Sequence, residues 1–438
     1  MALTKVTKEL IQGGLGIDWQ IAIKTGNFQS VASQGYFIDT TSNEVTVTMP
    51  PSPVVGDMIS IVDYAGTAQT NNIKITAQAN INGSANDVKI DYKRGAVSII
   101  YSGTAQGWLA EFAANDGTNA LVNSPSAFNA DVLIVAGGGG TTTLCGSGGG
   151  GGGGILSGTL NITPGTGYSI QVGAGGTGST GPGYTTGYTN GANSFLDASG
   201  AGGNTLTANG GGYSAGAGGS FSGGVWPTSG NAGGSGGGGG GFYGNGSGTS
   251  GGASTQPNIS PLTGYGQAGG SHIYTNPADY VGAGGGGAGG VGQNVDYSSN
   301  AGGNGGVGHI STIITTAMAS ANSIGEVDGS DVYFAGGGGG KGTSGGTGGL
   351  GGGGNSSSNG TAATGGGGGG ATCANSAGGH TGGSGVLIIK YPNTITCTLS
   401  GATGLTEIVD TTSISNFKVS MFKVTSEGTN GTGTITFS

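Results

Sequence analysis

Glycine runs dominate the middle of this chain and limit what it can fold into. Of the 110 glycines in 438 residues, 12 precede Ala136 and 5 follow Gly385, which leaves 93 between them. Glycine loses more conformational freedom on folding than any other residue, a cost of roughly 0.5–1 kcal/mol relative to alanine. A folded segment of this composition must therefore be stabilised by its own backbone, and the alternative is disorder.

Apolar segments between the glycine runs favour a folded structure. Disordered tracts usually combine high charge with few hydrophobic residues, whereas strand-like apolar pieces such as residues 132–135 and 386–389 interrupt the glycine here. Collagen is excluded because glycine does not recur at every third position and there are only 11 prolines.

The conformation that remains is the polyglycine II helix. It has three residues per turn, rises about 3.1 Å per residue and has no internal hydrogen bonds. Each N–H group must therefore bond to a neighbouring strand or helix, and a side chain would block that approach. The sequence thus predicts glycine runs such as residues 148–154, 236–241 and 365–370 packed backbone against backbone.

Charge excludes several partners. Charged residues make up 7% of the chain, the net charge is −9, and Arg94 is the sole arginine. Binding to nucleic-acid phosphates needs clustered Lys and Arg, so we expect no nucleic-acid partner. The sequence contains no window that approaches 18 consecutive apolar residues, so we expect no insertion into a membrane. The first 12 residues lack the apolar core of a signal peptide, which favours assembly in the cytoplasm of a producing cell.

Cysteine and histidine are too few and too scattered to predict a metal site. Cys145, Cys373 and Cys397 are isolated in sequence, and neither a disulfide framework nor a zinc site fits their spacing. Whether Cys145 and Cys373 pair is left open. We expect no cofactor and no metal.

The fold class predicted is mainly β. It comprises a β-sandwich-like amino-terminal domain, a glycine-rich body of strands and packed polyglycine II helices, and a small carboxy-terminal β module. Short alternating or apolar runs separated by turn residues, such as residues 45–48 and 73–76, support the strands. The predicted boundaries are 1–18 for an anchor segment, 19–114 for the sandwich-like assembly domain, 115–130 for a linker, 131–392 for the body and 393–438 for the terminal module.

Recurring hydrophobic phrases indicate how the body is organised. Residues 131–140 and 331–340 share a pattern of apolar residues followed by glycines, and residues 385–392 close the body with a third such strand. This spacing predicts strands that pair and hold the glycine runs in register. Residues 154–172 are predicted to form a β-meander. Larger side chains predict exposed loops over 221–231, 254–267, 271–281, 291–300 and 309–334.

Several of these segments resemble tail-fibre and other structural proteins of tailed bacteriophages, marine phages included. They are the opening Met-Ala-Leu-Thr-Lys-Val-Thr, residues 56–66, the stretch from Ile81 to Trp108, and the body that opens with Val-Leu-Ile-Val-Ala-Gly and closes with Val-Leu-Ile-Ile-Lys-Tyr-Pro. The resemblance spans residues 1 to about 392. In phage adhesins with glycine-rich domains, polyglycine helices pack as a rigid sandwich and loops at its tip touch the host receptor.

The resemblance implies that aromatic residues in the loops contact a bacterial surface glycan or outer-membrane protein. It also implies a homo-oligomer, a trimer by analogy, that assembles with other tail or capsid proteins. Tyr and Trp are enriched at binding hot spots. The alternative for each ring is that it fills a gap between glycine layers or an oligomer contact. The candidates are Trp226, Tyr243, Tyr265, Tyr274, Tyr280 and Tyr297.

Several sequence motifs partly match the motifs of enzyme or ligand sites, but they lack the neighbouring residues or elements that such sites need. Residues 173–178 spell a dinucleotide-type glycine fingerprint, but residues 179–184 cannot begin the helix that would hold a pyrophosphate. Glu326, Asp328 and Asp331 lie close together in sequence. This cluster has two interpretations, a site for a bound ion and a turn exposed to solvent. No grouping of nucleophile, base and oxyanion donors is visible, so we expect no enzyme and no catalytic residue.

The function expected is that of a phage virion protein, a tail fibre or receptor-binding adhesin located in the virion, assembled in the host cytoplasm and then extracellular. The main alternative is a purely structural capsid fibre, decoration or filament subunit without receptor binding. An ice-binding or matrix protein built of stacked polyglycine helices is a third class.

Overall fold

The structure, a computed structural model of the chain, describes residues 17–114, 122–123, 127–143, 146–180, 187–199, 203–216, 229–241, 249–273, 280–295, 300–371 and 378–438. The chain divides into two compact units, Met1–Ser126 and Ala127–Ser438. Most of the predicted anchor segment lies outside the described residues.

Two five-stranded sheets form the amino-terminal unit. Their orders are β1-β3-β5-β8-β9 and β10-β7-β6-β4-β2. The strands are β1 (Asp18–Trp19), β2 (Phe28–Gln29), β3 (Gln34–Ile38), β4 (Val45–Thr48), β5 (Met58–Asp63), β6 (Ile73–Thr76), β7 (Val88–Ile90), β8 (Ala96–Tyr101), β9 (Trp108–Ala114) and β10 (Val122–Asn123).

The first six of these strands alternate between the two sheets. As a result, β1, β3 and β5 pair in parallel in one sheet, and β2, β4 and β6 pair in parallel in the other. The later strands β7, β8 and β9 add antiparallel. Alternation puts Val45 and Val47 in the core and leaves Thr48 exposed. Trp108 is fully buried in this core, with its ring centroid 5.4 Å from that of Tyr101.

The described residues of the second unit form three sheets and one short helix, α1 (Thr316–Asn322). The sheet orders are β16-β12-β11-β20-β23-β22, β15-β14-β13-β24-β21 and β17-β19-β18. The strands are β11 (Phe128–Val135), β12 (Ile155–Ile162), β13 (Gly167–Val172), β14 (Ser194–Asp197), β15 (Thr205–Ala208), β16 (Thr263–Tyr265), β17 (His309–Ser311), β18 (Glu326–Asp328), β19 (Asp331–Phe334), β20 (Val386–Pro392), β21 (Cys397–Thr403), β22 (Leu405–Asp410), β23 (Phe417–Val424) and β24 (Gly431–Phe437).

The strands β11 and β20 are apolar without alternation because both faces of their sheet are buried. Val132 and Ile134 pack into the core between the six-stranded and the five-stranded sheet. Leu133 and Val135 pack on the opposite face, in a cluster that also contains Met318 of α1. Strands that are covered on both faces have continuous hydrophobic sequences. The last strands of the chain belong to the same sheets, since β23 pairs with β20 and β24 pairs with β13.

Three details differ from the sequence-based predictions. The predicted meander over 154–172 is wrong, because β12 and β13 belong to different sheets. Of the three hydrophobic phrases, β11 and β20 pair with each other, whereas β19 lies in a separate three-stranded sheet. The segment 309–334 is not an exposed loop. It forms β17, α1, β18 and β19, and Ile313, Ile314 and Ile324 are buried.

Residues 148–154 show how the glycine runs pack. Their N–H groups take three directions in turn: Gly148, Gly151 and Gly154 donate to one segment, and the residues between them donate to two others. This period of three residues is the period of the polyglycine II helix. The helix has six neighbours. Residues 209–215, 283–286 and 365–368 accept its hydrogen bonds, and residues 136–139, residues 235–238 and Gly338 donate to it.

Residues 335–341 form a second helix of this kind. Its residues 336–341 donate to residues 147–150, 303–306 and 351–354, and the helix accepts from residues 282–288, 346–349 and 367–370. The neighbours run in both directions, since residues 283–286 lie parallel to residues 148–154 and residues 209–215 lie antiparallel. The prediction of a mainly β fold with packed polyglycine II helices is therefore confirmed. We call this array of helices the glycine lattice.

Candidate binding surface at the loop end of the glycine lattice

The glycine helices begin where the strands of the second unit end, and this sets the two ends of the lattice. Residues 136–140 continue β11 beyond Val135, and residues 148–154 lead back into β12 at Ile155, which is the antiparallel partner of Val135. The connection between these two helices therefore lies away from the strands. We call that side the loop end and the opposite side the strand end.

Described residues of two predicted loops, 271–281 and 291–300, meet at the loop end with residues that flank the segment of the candidate Tyr243. The N–H of Gly241 donates to the carbonyl of Gly146 at 2.7 Å, and the N–H of His272 donates to Thr249 at 2.9 Å. The N–H of Ile273 donates to Val295 at 3.3 Å. These residues border segments 242–248, 274–279 and 296–299, so the lattice brings together the points from which these three segments leave it.

The two described candidate tyrosines lie at opposite ends of the lattice. Tyr280 is 40% exposed and lies at the loop end, where its backbone lies within 3.0 Å of the position of a Cβ added at Gly146. Tyr265 lies at the strand end in β16, opposite Ile155. Its ring stacks on His309 with 3.8 Å between ring centroids. The other candidates, Trp226, Tyr243, Tyr274 and Tyr297, lie outside the described residues.

The structure pairs two tyrosines that sequence reasoning did not select. The rings of Tyr188 and Tyr213 lie 5.0 Å apart between centroids, tilted by 58°. Partial burial, with a smaller contribution from Tyr213, raises the pKa of Tyr188 above its ordinary value. Asn190 fixes the pair, because its Oδ1 accepts from the N–H of Tyr213 at 3.0 Å. Both tyrosines lie in glycine-rich segments, and the sequence signal that could have indicated the pair is the neighbouring Asn190, whose carboxamide can bond to a backbone N–H of another segment.

Small hydroxyl side chains fill the interior of the loop end. Thr142, Ser147 and Ser214 are buried, and the hydroxyl oxygens of Ser147 and Ser214 lie 3.3 Å apart. Thr142 donates to Ser147 at 3.3 Å, and Ser179 donates to Thr143 at 2.9 Å. These hydroxyls satisfy one another without charge, so the interior of this end is polar and neutral.

Carboxamide side chains cap the edges of the lattice, where no further helix is available. Asn355 Oδ1 accepts from the N–H of Gly348 at 2.9 Å, and Asn359 Oδ1 accepts from the N–H of Thr381 at 3.0 Å. Asn304 Oδ1 accepts from both the N–H and the hydroxyl of Thr347. An amide oxygen thus replaces the carbonyl of a missing neighbour, which is a role that sequence reasoning missed.

In the acidic cluster around residue 326, the carboxylate of Glu326 accepts hydrogen bonds from the backbone. Glu326 Oε2 accepts from the N–H groups of Gly351 and Gly352, each at 2.7 Å. Asp328 and Asp331 face each other across the turn between β18 and β19. Within the part of the chain that the structure describes, no three His, Cys, Asp or Glu side chains lie close enough to hold a metal ion.

Burial sets the direction of the pKa shift of two histidines and one cysteine in the second unit. Burial lowers the pKa of His309 and of His380 below the ordinary value. Burial, followed by the nearby Glu407 carboxylate, raises the pKa of the Cys397 thiol to about 12, so this thiol stays protonated near neutral pH. Cys145 and Cys373 lie outside the described residues, so their pairing stays open.

Comparison with known families identifies a glycine-rich domain in the chain. Residues 113–310 match the model of a family described as a glycine-rich domain. The match ends inside the glycine lattice, which continues through residues 335–341 and 365–370. No curated protein matches the chain. The helix α1 has seven residues, and no helix among the described residues is long and apolar enough to cross a membrane.

Proposed function

We propose that this chain is a non-enzymatic structural protein of a bacteriophage virion, a tail fibre or receptor-binding adhesin that presents loops for attachment to the host surface. The supporting observation is the loop end, where Ile273 and Val295, which belong to two of the predicted loops, are hydrogen-bonded to each other on a lattice of polyglycine II helices. The resemblance of the sequence to phage tail proteins supplies the biological setting.

In this proposal the lattice acts as a rigid support. Loops held at both ends by a stiff support lose less conformational entropy when they bind, so more of the contact energy remains as affinity. Several copies in a homo-oligomer, a trimer by analogy with phage fibres, would convert weak single contacts into strong attachment through avidity. The other partners proposed are tail or capsid proteins and a bacterial surface glycan or outer-membrane protein.

Binding of the purified, fluorescently labelled chain to a panel of bacterial strains tests the proposal. We expect at least one strain to bind the protein, and we expect the double variant Trp226→Ala/Tyr274→Ala to lose roughly tenfold or more in affinity, because aromatic anchors commonly contribute at least about 2 kcal/mol. Tyr64→Ala is the matched control. Tyr64 is 49% exposed but belongs to the amino-terminal unit.

Unchanged binding of the double variant would remove these loops from the proposal. If the chain instead localises to phage particles by antibody labelling and binds no host strain, the purely structural role replaces the attachment role.

A further inference from the structure

A polar groove runs along one edge of the glycine lattice beside the loop end. It has a volume of about 350 Å³, and Gln293, Asn294 and Asn304 line it together with Val295 and Gly345. This volume is at the small end of the range of about 300–1,000 Å³ typical of ligand sites. Its position is fixed by the lattice, since Val295 donates to Ser271 and Gln293 donates to Asn304 through their backbones.

The three carboxamides in this groove are held in one orientation. Asn294 Oδ1 accepts from the N–H of Ser271 at 2.7 Å, and Gln293 Oε1 accepts from the N–H of Asn304 at 3.0 Å. Asn304 Oδ1 accepts from the N–H of Thr347 at 2.9 Å. Each amide oxygen is therefore engaged by the backbone, which leaves the amide nitrogen as the available polar group of each side chain.

Each of the three side chains offers its amide nitrogen as a hydrogen-bond donor. None of the described residues accepts a hydrogen bond from Gln293 Nε2, Asn294 Nδ2 or Asn304 Nδ2 in the structure, and all three side chains are exposed. No charged side chain is among the described residues that line the groove. An uncharged array of donors suits a neutral ligand rich in oxygen acceptors, because an anion would find no cation to pair with.

We propose that this groove binds one or two sugar units of a neutral saccharide. Hydroxyl and ring oxygens accept from the three amide nitrogens, and the lattice holds these donors in place before the ligand arrives. For its biological setting the proposal rests on the proposed attachment function, in which the ligand is a glycan of the host surface.

Saturation-transfer NMR on the full-length protein tests the groove without cells. The probes are millimolar D-glucose, D-galactose and N-acetyl-D-glucosamine, with N-acetylneuraminic acid as the anionic comparison. The test variant is Gln293→Glu/Asn294→Asp/Asn304→Asp. Each change keeps an oxygen that can accept from the backbone and replaces the donor nitrogen with an acceptor. The matched control, Asn355→Asp/Asn359→Asp, makes the same change at two edge caps that do not line the groove.

We expect at least one neutral sugar to bind the natural protein, the control variant to bind equally, and the triple variant to lose about tenfold or more in affinity. If the triple variant melts at a lower temperature than the control variant, the single variant Asn294→Asp replaces it and should weaken binding severalfold.

The proposal is overturned if no neutral sugar binds the natural protein, if only the anionic sugar binds, or if the donor-free variants bind as well as the control. Because no cells take part, this result is independent of the strain-binding assay. If the groove binds no sugar, the proposal about the attachment loops is still tested by the strain-binding assay. If the groove binds sugar, the groove proposal is supported even when no strain binds the protein.

Discussion

Side-chain oxygens replace backbone carbonyls at several places where the structure gives a backbone N–H a side-chain acceptor. Glu326 does so for Gly351 and Gly352 in the second unit. In the amino-terminal unit the fully buried Asp63 accepts from the N–H groups of Gly66, Ala68 and Arg94. A buried N–H without a partner costs about 1–3 kcal/mol, so such residues stabilise the turns they close.

The pH dependence of stability tests the burial of His309. Because burial lowers its pKa, the unfolded chain takes up a proton as the pH falls through the ordinary value near 6.5 while the folded chain does not. The stability present above that pH is lost as the pH falls toward the folded pKa. We expect the urea midpoint of the second unit to be lower at about pH 5 than at about pH 7.5, and His309→Gln to reduce the difference.

His380 shifts in the same direction, so part of the pH dependence should remain in His309→Gln and decrease further when His380→Gln is added. Equal pH dependence in the natural protein and the double variant would show that neither imidazole is buried as described.

At the scale of elements, strand existence followed from the sequence better than strand pairing did. Residues 45–48 and 73–76 alternate and form β4 and β6 at the predicted positions. The parallel pairing of these two strands was not predicted, because β5 lies between them in sequence and belongs to the other sheet. Apolar alternation specifies which face a strand buries, but it does not specify which strand lies beside it.

The helix α1 illustrates the same limit. Its signals are short: Thr315 caps the first turn by accepting from Met318 at 3.2 Å, and Ser323 ends the helix in a left-handed conformation. A helix of seven residues is marginal by itself. Packing of Met318 and Ala319 against the six-stranded sheet stabilises it, and local sequence does not encode that contact.

The glycine helix of residues 148–154 provides a mutational test of backbone packing. A Cβ added at Gly150 would lie within 3.0 Å of backbone atoms of Gly139, and backbone cannot move aside as a flexible side chain can. We expect Gly150→Ala to destabilise the second unit by about 1–3 kcal/mol or more, measured as a lower calorimetric melting temperature.

Gly26→Ala is the comparison, because a Cβ there meets no atom within 4 Å. Alanine at an open site with a permitted backbone conformation should leave stability unchanged or raise it by up to about 1 kcal/mol. A Gly150→Ala variant as stable as Gly26→Ala would mean that the helices are not in contact at this position.

At the scale of the whole second unit, stability comes from many weak hydrogen bonds between distant parts of the chain. Each contributes roughly 1 kcal/mol net, but the helix of residues 148–154 has six neighbours and that of residues 335–341 has six of its own. The helices are therefore expected to open together, because the loss of one leaves unpaired N–H groups on the neighbours that donate to it and unpaired carbonyls on those that accept from it.

Hydrogen exchange tests this cooperativity. We expect the amides of residues 148–154 and 335–341 to exchange far more slowly than those of an unstructured peptide, and to share one opening free energy close to that of global unfolding of the unit. Mass spectrometry of peptides spanning each run measures it. Rapid exchange throughout these runs would show that the lattice does not form in solution.

The sequence alone determined that the middle of this protein must be built from backbone. So many glycines leave too few side chains for a conventional core throughout this segment, and its low charge and interspersed apolar strands oppose disorder. It also located strands such as β4, β6, β11 and β20, because their alternating or continuous apolar sequences are local signals. Only the tertiary structure decided which helices are neighbours, that Tyr265 and Tyr280 lie at opposite ends, and that three carboxamides share a groove. The physical reason is that glycine runs are chemically identical, so their order in the lattice depends on the strands and loops that join them.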